Sequence, residues 1–228
     1  MKRSNRDVVG VVEMPLVDGY YVRPIDKQET HVWLLEIHYA RRIPAISFAY
    51  GLFDSGEMVG VITYGQPPSR SLCIGVAGPD NADLVIELNR LALKYNRPNE
   101  ASRLIGQSLR LLPAPRIVVS YADSDQDHLG VVYQATNWIY TGITKPRTEW
   151  AVRGQEHLHS KSLGNRFASL DEVIAEYGDD FYYRERSQKH RYVQVLGTRS
   201  DRRRLMADLR YEALPYPKRE RTDARNGV

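Results

Sequence analysis

What the 228-residue sequence is short of narrows it first. It has one cysteine, Cys73. An internal disulfide is therefore excluded, and so are zinc sites of the Cys₄ or Cys₂His₂ kind. A reducing, cytoplasmic home is expected. There is no run of about 18 apolar residues, so no transmembrane helix is expected. The opening Met1-Lys2-Arg3-Ser4-Asn5-Arg6-Asp7 leads into no apolar segment of the kind a secretory signal carries. Internal repeats and low-complexity tracts are missing too. With 42% hydrophobic and 26% charged residues, the chain has the make-up of a folded globular protein.

Charge is unevenly placed. Residues 182–228 hold 13 Lys/Arg and 6 Asp/Glu, a balance of +7, while residues 1–181 hold 19 and 22, a balance of −3. A localised positive region suits a polyanion, nucleic acid first, or else a solubilising tail.

Tyr20–Ile25 reads as a strand, and Asp26-Lys27-Gln28-Glu29 has capping-box form, predicting a helix to about Arg42. The apolar runs 48–53 and 58–64 around Asp54-Ser55-Gly56-Glu57 predict a hairpin. Leu72–Val76 reads as an edge strand, with Cys73 in no chemical role. Leu84–Leu93 reads as a central strand, 99–112 as a helix and Ile117–Ala122 as a buried strand. A helix over 129–137 and strands at 138–141 and 149–153 follow. Past Gly154, an irregular stretch (157–165) leads to a helix (170–177), a strand (190–197), an Arg-rich helix (200–209) and an extended segment (211–218). The last ten residues read as disordered. The fold class expected is α/β (α+β), a mixed sheet flanked by helices. Residues 1–153 would form a catalytic domain and 154–228 a basic appendage for nucleic acid.

Candidate chemistry sits in the middle. Arg103-x-x-Gly106-x-Ser108 is expected at the first turn of a helix, where free N–H groups and the dipole favour an anion. Gly106 would allow close approach of a ligand or strand. Asp123 ends a central strand, where α/β ligands collect, and Tyr133 lies on the next helix. His38 and Tyr39 end an earlier helix. A His, a carboxylate and two phenols can converge as a metal site or as an acid–base cluster. Asn89 and Arg90, adjacent in a strand, should point to opposite faces. His157-x-His159 is the second metal candidate.

From about Tyr20 to Gly154 this order of elements resembles the GNAT acyltransferase superfamily. The resemblance implies a donor held at the Arg103–Ser108 turn and a proton given to the leaving group by Tyr133. Asn137-Trp138 stands where that superfamily has Gly-Phe. The strings Ile37-His38-Tyr39, Glu87-Leu88-Asn89-Arg90-Leu91, Asn99-Glu100-Ala101-Ser102-Arg103, Tyr121-Ala122-Asp123, His128-x-Gly130-x-x-Tyr133-Gln134-Ala135 and Leu214-Pro215-Tyr216-Pro217-Lys218 together resemble the Mom family of bacteriophage proteins.

That resemblance implies conversion of the adenine 6-amino group in double-stranded DNA to a carbamoylmethylamino group, inside the host cytoplasm, as protection from restriction. It also implies bound iron, with His38, Tyr39 and Asp123 as ligands. Ser102 joins Asp123, Tyr133, Tyr39 and His38 in the catalytic set. Asn99, Glu100, Arg103, Gly106, Ser108 and Arg90 form the donor set. The donor would be a glycyl-tRNA, a glycyl thioester or an acyl-CoA, with Glu100 suited to a glycyl ammonium. DNA phosphates would meet Arg147, His157, Lys161, Arg166, Lys189, His190, Arg191 and Arg202, Arg203 and Arg204. A GNAT N-acyltransferase acting on a protein or small molecule is the alternative.

Overall fold

The computed structural model describes residues 14–15, 19–126, 128–156, 158 and 160–218. The expected disordered end, His157 and His159 lie outside the described residues. An eight-stranded sheet runs through the molecule. Its first members are β1 (Met14–Pro15), β2 (Tyr20–Pro24), β3 (Phe48–Asp54) and β4 (Glu57–Gly65). The β3–β4 hairpin turns on Ser55 (φ 51°) and Gly56 (φ 91°). Two positive-φ residues in that position match the twist of the strands they join.

Next come α1 (Arg70–Asn81), β5 (Val85–Leu93), α2 (Glu100–Leu111), β6 (Arg116–Asp123), α3 (Val131–Ala135) and β7 (Ile139–Ile143). The edge strand expected at Leu72–Val76 is instead part of α1. Ser69 caps this helix, its hydroxyl accepting the Leu72 N–H at 3.2 Å. Cys73, Val76 and Ala77 share its buried side. Gly78 (φ 75°) and Pro79 then kink it, which is why it does not read as a helix in the sequence.

A two-stranded ribbon, β8 (Arg147–Val152) with β9 (Phe181–Arg186), stands apart from the main sheet. Short helices α4 (Ser160–Gly164) and α5 (Leu170–Tyr177) lie between its strands in the chain. The chain then returns. β10 (Lys189–Leu196) inserts between β6 and β7, antiparallel to both, and α6 (Arg199–Ala207) covers the sheet after it. The expected boundary at residue 153 is therefore corrected: residues 189–196 are inner sheet, not appendage. The cause is burial. Tyr192, Val193 and Val195 are core residues, the valines packed with Ile117 and Val119.

The two faces of the sheet carry separate cores. On one, Leu104, Ile105 and Leu109 of α2 pack on Ile86, Leu88 and Val118. On the other, Val76 and Ala77 of α1 and Leu205 of α6 pack on Val85, Ile117 and Val193. Among the described residues no helix is long and apolar enough to cross a membrane.

Candidate active site

β5 and β6 are parallel neighbours but stay paired only over Val85↔Ile117, Ile86↔Val118 and Glu87↔Val119. Both strands continue beyond that point, β5 bonded to β4 and β6 to β10. A gap opens between them at their carboxyl ends, where ligands of open α/β sheets collect. The Ser120 hydroxyl bridges the gap's floor, donating to the Leu88 carbonyl at 2.9 Å.

A β-bulge sets what faces this gap. Thr63 pairs with Arg90 and the next residue, Tyr64, with Leu88, so Asn89 is an extra residue in β5. An extra residue shifts the side-chain alternation by one. Leu88 and Leu91 thus share one core, and Glu87 falls on the same side as Arg90. The expectation that Asn89 and Arg90 take opposite faces by simple alternation is corrected: Asn89 sits in the bulge. Its side chain accepts the Thr63 hydroxyl at 2.6 Å and donates to the Ala45 carbonyl at 2.8 Å.

His38 and Tyr39 reach the site from the other side. The helix expected to reach Arg42 ends at Ile37 as a single π-turn, Trp33–Ile37, after a 3₁₀ turn at Lys27–Thr30. His38 is already extended, and its Nδ1 accepts the Ala40 N–H at 3.1 Å. The imidazole proton is therefore on Nε2. Burial, reinforced by the Arg90 charge, pushes His38 down to about 4, so the ring is neutral near pH 7. Tyr39 stacks on it, centroids 4.5 Å apart, and meets His128 edge-on at 6.5 Å. Burial and the Asp123 carboxylate raise the Tyr39 phenol against the pull of Arg90 and Arg42.

Tyr133 is buried, its ring 5.1 Å from both Trp138 and Tyr192. Its Oη lies 2.8 Å from Ser120 Oγ. Burial pushes this phenol up to about 12 against the Ser120 hydrogen bond, with Tyr39 and Glu87 as further charges in reach. It stays protonated near pH 7. Burial likewise raises Glu87, opposed by Arg90, Lys189 and Arg42. Asp123 differs: burial acts to raise it, but the Ser187 hydroxyl, the Lys189 ammonium and the Asp125 amide hold it below the usual carboxylate range. Lys189 Nζ is 3.3 Å from Asp123 Oδ2. The structure thus brings His38, Tyr39, Arg90, Asp123 and Tyr133 together. It adds Glu87 and Arg42, which were not singled out as site residues from sequence. The signal for Glu87 in the sequence is its place at the head of the Glu87-Leu88-Asn89-Arg90-Leu91 string.

The expected iron ligands adjoin one another: Tyr39 stacks on His38 and feels the Asp123 charge, while His38 Nδ1 and both Asp123 oxygens already hold protein partners. Among the described residues, no group of three or more His, Cys, Asp or Glu side chains forms a metal site.

The expected donor turn is also rearranged. α2 begins at Glu100, after Asn99 in the left-handed region (φ 68°). Arg103-x-x-Gly106-x-Ser108 therefore lies in the body of the helix, where N–H groups bond within it and cannot cradle a diphosphate. Ser108 is buried, its Oγ 2.7 Å from Tyr64 Oη. Glu100 is buried as well, accepting the Tyr20 hydroxyl at 3.1 Å and the Arg97 N–H at 2.8 Å, and presents no oxygen to an ammonium. Gly106 faces open space, with nothing within 4 Å of where a Cβ would stand. Ser102, donating to the Asn99 carbonyl at 3.1 Å, and Arg103, 5.1 Å over the Tyr20 ring, remain partly exposed at the helix start.

The model of the Mom protein family matches residues 19–218. The chain belongs to that family. It is 27% identical over 213 residues to the methylcarbamoylase of Escherichia phage Mu, covering 88% of this chain and 86% of that one. Solved structures similar to it include a GNAT-family acetyltransferase from Bacillus cereus (11% identity, 77% of this chain and 96% of that one, TM-score 0.40). Another is an acetyltransferase from Bacillus subtilis in complex with CoA (12%, 77% and 98%, TM-score 0.42).

The cations expected to meet DNA divide in this Mom-family chain. Arg147, Arg166, Arg202 and Arg203 are exposed. Lys161 lies on α4, its side chain outside the described residues. Arg204 is exposed too, with one nitrogen donating to Asn81 Oδ1 at 3.0 Å, while Lys189 pairs with Asp123. His190 Nδ1 lies 2.9 Å from Tyr140 Oη. Arg191 donates to Thr141 at 2.8 and 2.7 Å and lies 3.3 Å over the Tyr211 ring.

Proposed function

We propose that this Mom-family transferase modifies adenine in DNA, turning the 6-amino group into a carbamoylmethylamino group and so shielding phage DNA from restriction. The observation that carries the reading is the cluster at the β5–β6 gap. It places a carboxyl of raised proton affinity (Glu87), a neutral imidazole N–H donor (His38) and a protonated phenol (Tyr133) around one opening. An adenine amino group is a weak nucleophile whose lone pair is delocalised into the ring. Glu87 takes its proton as it attacks an acyl carbonyl, and Tyr133 returns a proton to the leaving group. Asp123, held ionised, orients Lys189 and faces Tyr39. His38 Nε2–H and Arg90 stabilise the oxyanion that develops.

A glycyl donor gives the product without any redox step. The amino nitrogen attacks the glycyl carbonyl and expels the carrier, leaving a glycyl amide on N6. The free glycyl amine then adds to C6 through a five-membered spiro intermediate. The bond from C6 to the original nitrogen breaks, leaving C6–NH–CH₂–CO–NH₂. Glu100 takes no part, so the glycyl amine meets Glu87 rather than the start of α2. An ordinary acyl-CoA is the other donor.

The test is nucleoside mass analysis of DNA from expressing cells fed ¹⁵N- and ¹³C₂-labelled glycine. Both carbons should enter the adduct, with the labelled nitrogen on C6. Labelled nitrogen in the terminal amide, or no glycine carbon, removes the rearrangement. Unmodified adenine throughout removes the reading itself.

A further inference from the structure

The early end of the helix at Ile37 leaves an apolar edge in water. Trp33 and Leu34 are buried against Val61 and Ala92. Their neighbours are not: Leu35 is 45% exposed, Ile37 46%, Tyr39 59% and Ile43 41%. Single exposed apolar residues are ordinary on a protein surface. A concentration of them on the segment that also supplies His38 to the site calls for a use.

The segment is braced. At one end the His38 N–H donates to the Trp33 carbonyl at 2.8 Å, and the Arg41 N–H to the His38 carbonyl at 3.0 Å. At the other, Asn89 holds the Ala45 carbonyl and the Ser47 N–H donates to Tyr64 at 2.8 Å. Gly65 lies so close under this end that a Cβ there would stand 1.8 Å from the Ala45 oxygen, so no larger residue fits. Arg41 and Arg42, both exposed, sit between the apolar side chains in sequence.

We propose that this lip, residues 35–43, opens duplex DNA for the site. Ile37 and Ile43 press into the base stack that the adenine leaves, Tyr39 stacks on the extruded base, and Arg41 and Arg42 hold flanking phosphates. The proposal rests on the adenine reading above. The amino group lies inside a duplex, so the base must leave the stack before chemistry. Apolar wedges are what unstack base steps, and aromatic rings are what hold freed bases. Aliphatic side chains interleaved with guanidiniums complement a stacked interior framed by phosphates.

The experiment uses the full-length protein and an adenine that it modifies in cells. A duplex carries 2-aminopurine at that position, and a second duplex has the same strand with an abasic site opposite. The parent should change the 2-aminopurine emission in both, as the ring exchanges its base neighbours for the Tyr39 ring. Ile37→Ser and Ile43→Ser should each weaken the response on the paired duplex about tenfold, consistent with losing part of the cost of unstacking one step, and by clearly less on the pre-opened one. Equal weakening on both duplexes, or a parent-like response on the paired one, overturns the proposal. So does a dimer in sedimentation without DNA that Ile37→Ser dissociates, since a second copy would then be the lip's occupant. If the parent modifies no adenine in cells, the adenine reading fails first and the lip's assignment falls with it.

Discussion

Arg90 on β5 and Arg191 on β10 flank the same strand, β6, and are put to opposite uses. Arg191 is engaged on every side, by the Thr141 hydroxyl and carbonyl and by the Tyr211 ring. Arg90 donates from Nη1 to the Asn89 carbonyl, while its buried Nε has no partner. Buried donors are normally paired, and an unpaired one costs stability. Two arginines on either side of one strand thus differ in how far the fold satisfies them, and the less satisfied one stands beside the site.

The strongest way to break that comparison is to delete residues 182–228. Were the region an appendage, the remainder would stay folded. Because β10 lies between β6 and β7, the truncated protein should lose its cooperative melt in circular dichroism altogether. Next in size are the site substitutions. Glu87→Gln and Tyr133→Phe should each lower modified-nucleoside yield by about 10²–10⁴-fold while keeping the parent's far-ultraviolet spectrum. Asp123→Asn should cost less than Glu87→Gln, because a carboxylate held ionised by Lys189 and Ser187 is a weak base.

The two arginines give a smaller but sharper contrast. Arg191→Ala should destabilise by about 1–3 kcal/mol in urea titrations, since Thr141 loses its partner in a half-buried place. Arg90→Met should leave stability unchanged or higher and lower product yield by at least about tenfold, the usual exchange of a strained functional group for stability. Substituting Arg202 and Arg203 by alanine should alter stability by no more than about 0.5 kcal/mol. Their loss should flatten the salt dependence of DNA binding, by about 0.9 in log–log slope for each phosphate contact removed.

The smallest effect is on pH dependence. The folded pKa of His38, about 4, lies below its ordinary value of 6.5. The unfolded chain therefore binds more protons between those values, and stability contributed by the neutral ring is complete above 6.5 and lost as pH falls toward 4. His38→Gln should flatten that slope by about 1 kcal/mol, discounted for the solvent that reaches the ring. Melts at pH 7 and pH 4.5 would check it.

The sequence made the hairpin, β5, α2 and β6 legible, because turn chemistry and apolar runs are local. It also placed His38, Tyr39, Asp123 and Tyr133 in one site through their likeness to a family. Three things were not legible. α1 carries a Gly-Pro break inside an apolar stretch, which hides helical spacing. The π-turn stops at Ile37 although the apolar pattern runs on to Ile43, because those later residues face water. The pairing of β10 with β6 joins residues far apart in the chain, and nothing local encodes it. Glu87 escaped for a related reason: the bulge at Asn89 that turns it toward Arg90 depends on the register with β4.

The insertion of β10 also sets a timetable. Ser124, at the end of β6, binds Gln188 across 64 residues of sequence. At a synthesis rate of about 5–20 residues per second, roughly 3–13 seconds pass between the two leaving the ribosome. For that interval β6 has one edge bare, Asp123 lacks its lysine, and β7 has no place to dock. A nascent chain with α2, Tyr133, Glu87 and Asp123 already emerged is still without a finished sheet. A finished site therefore waits until β10 has emerged and paired with β6 and β7.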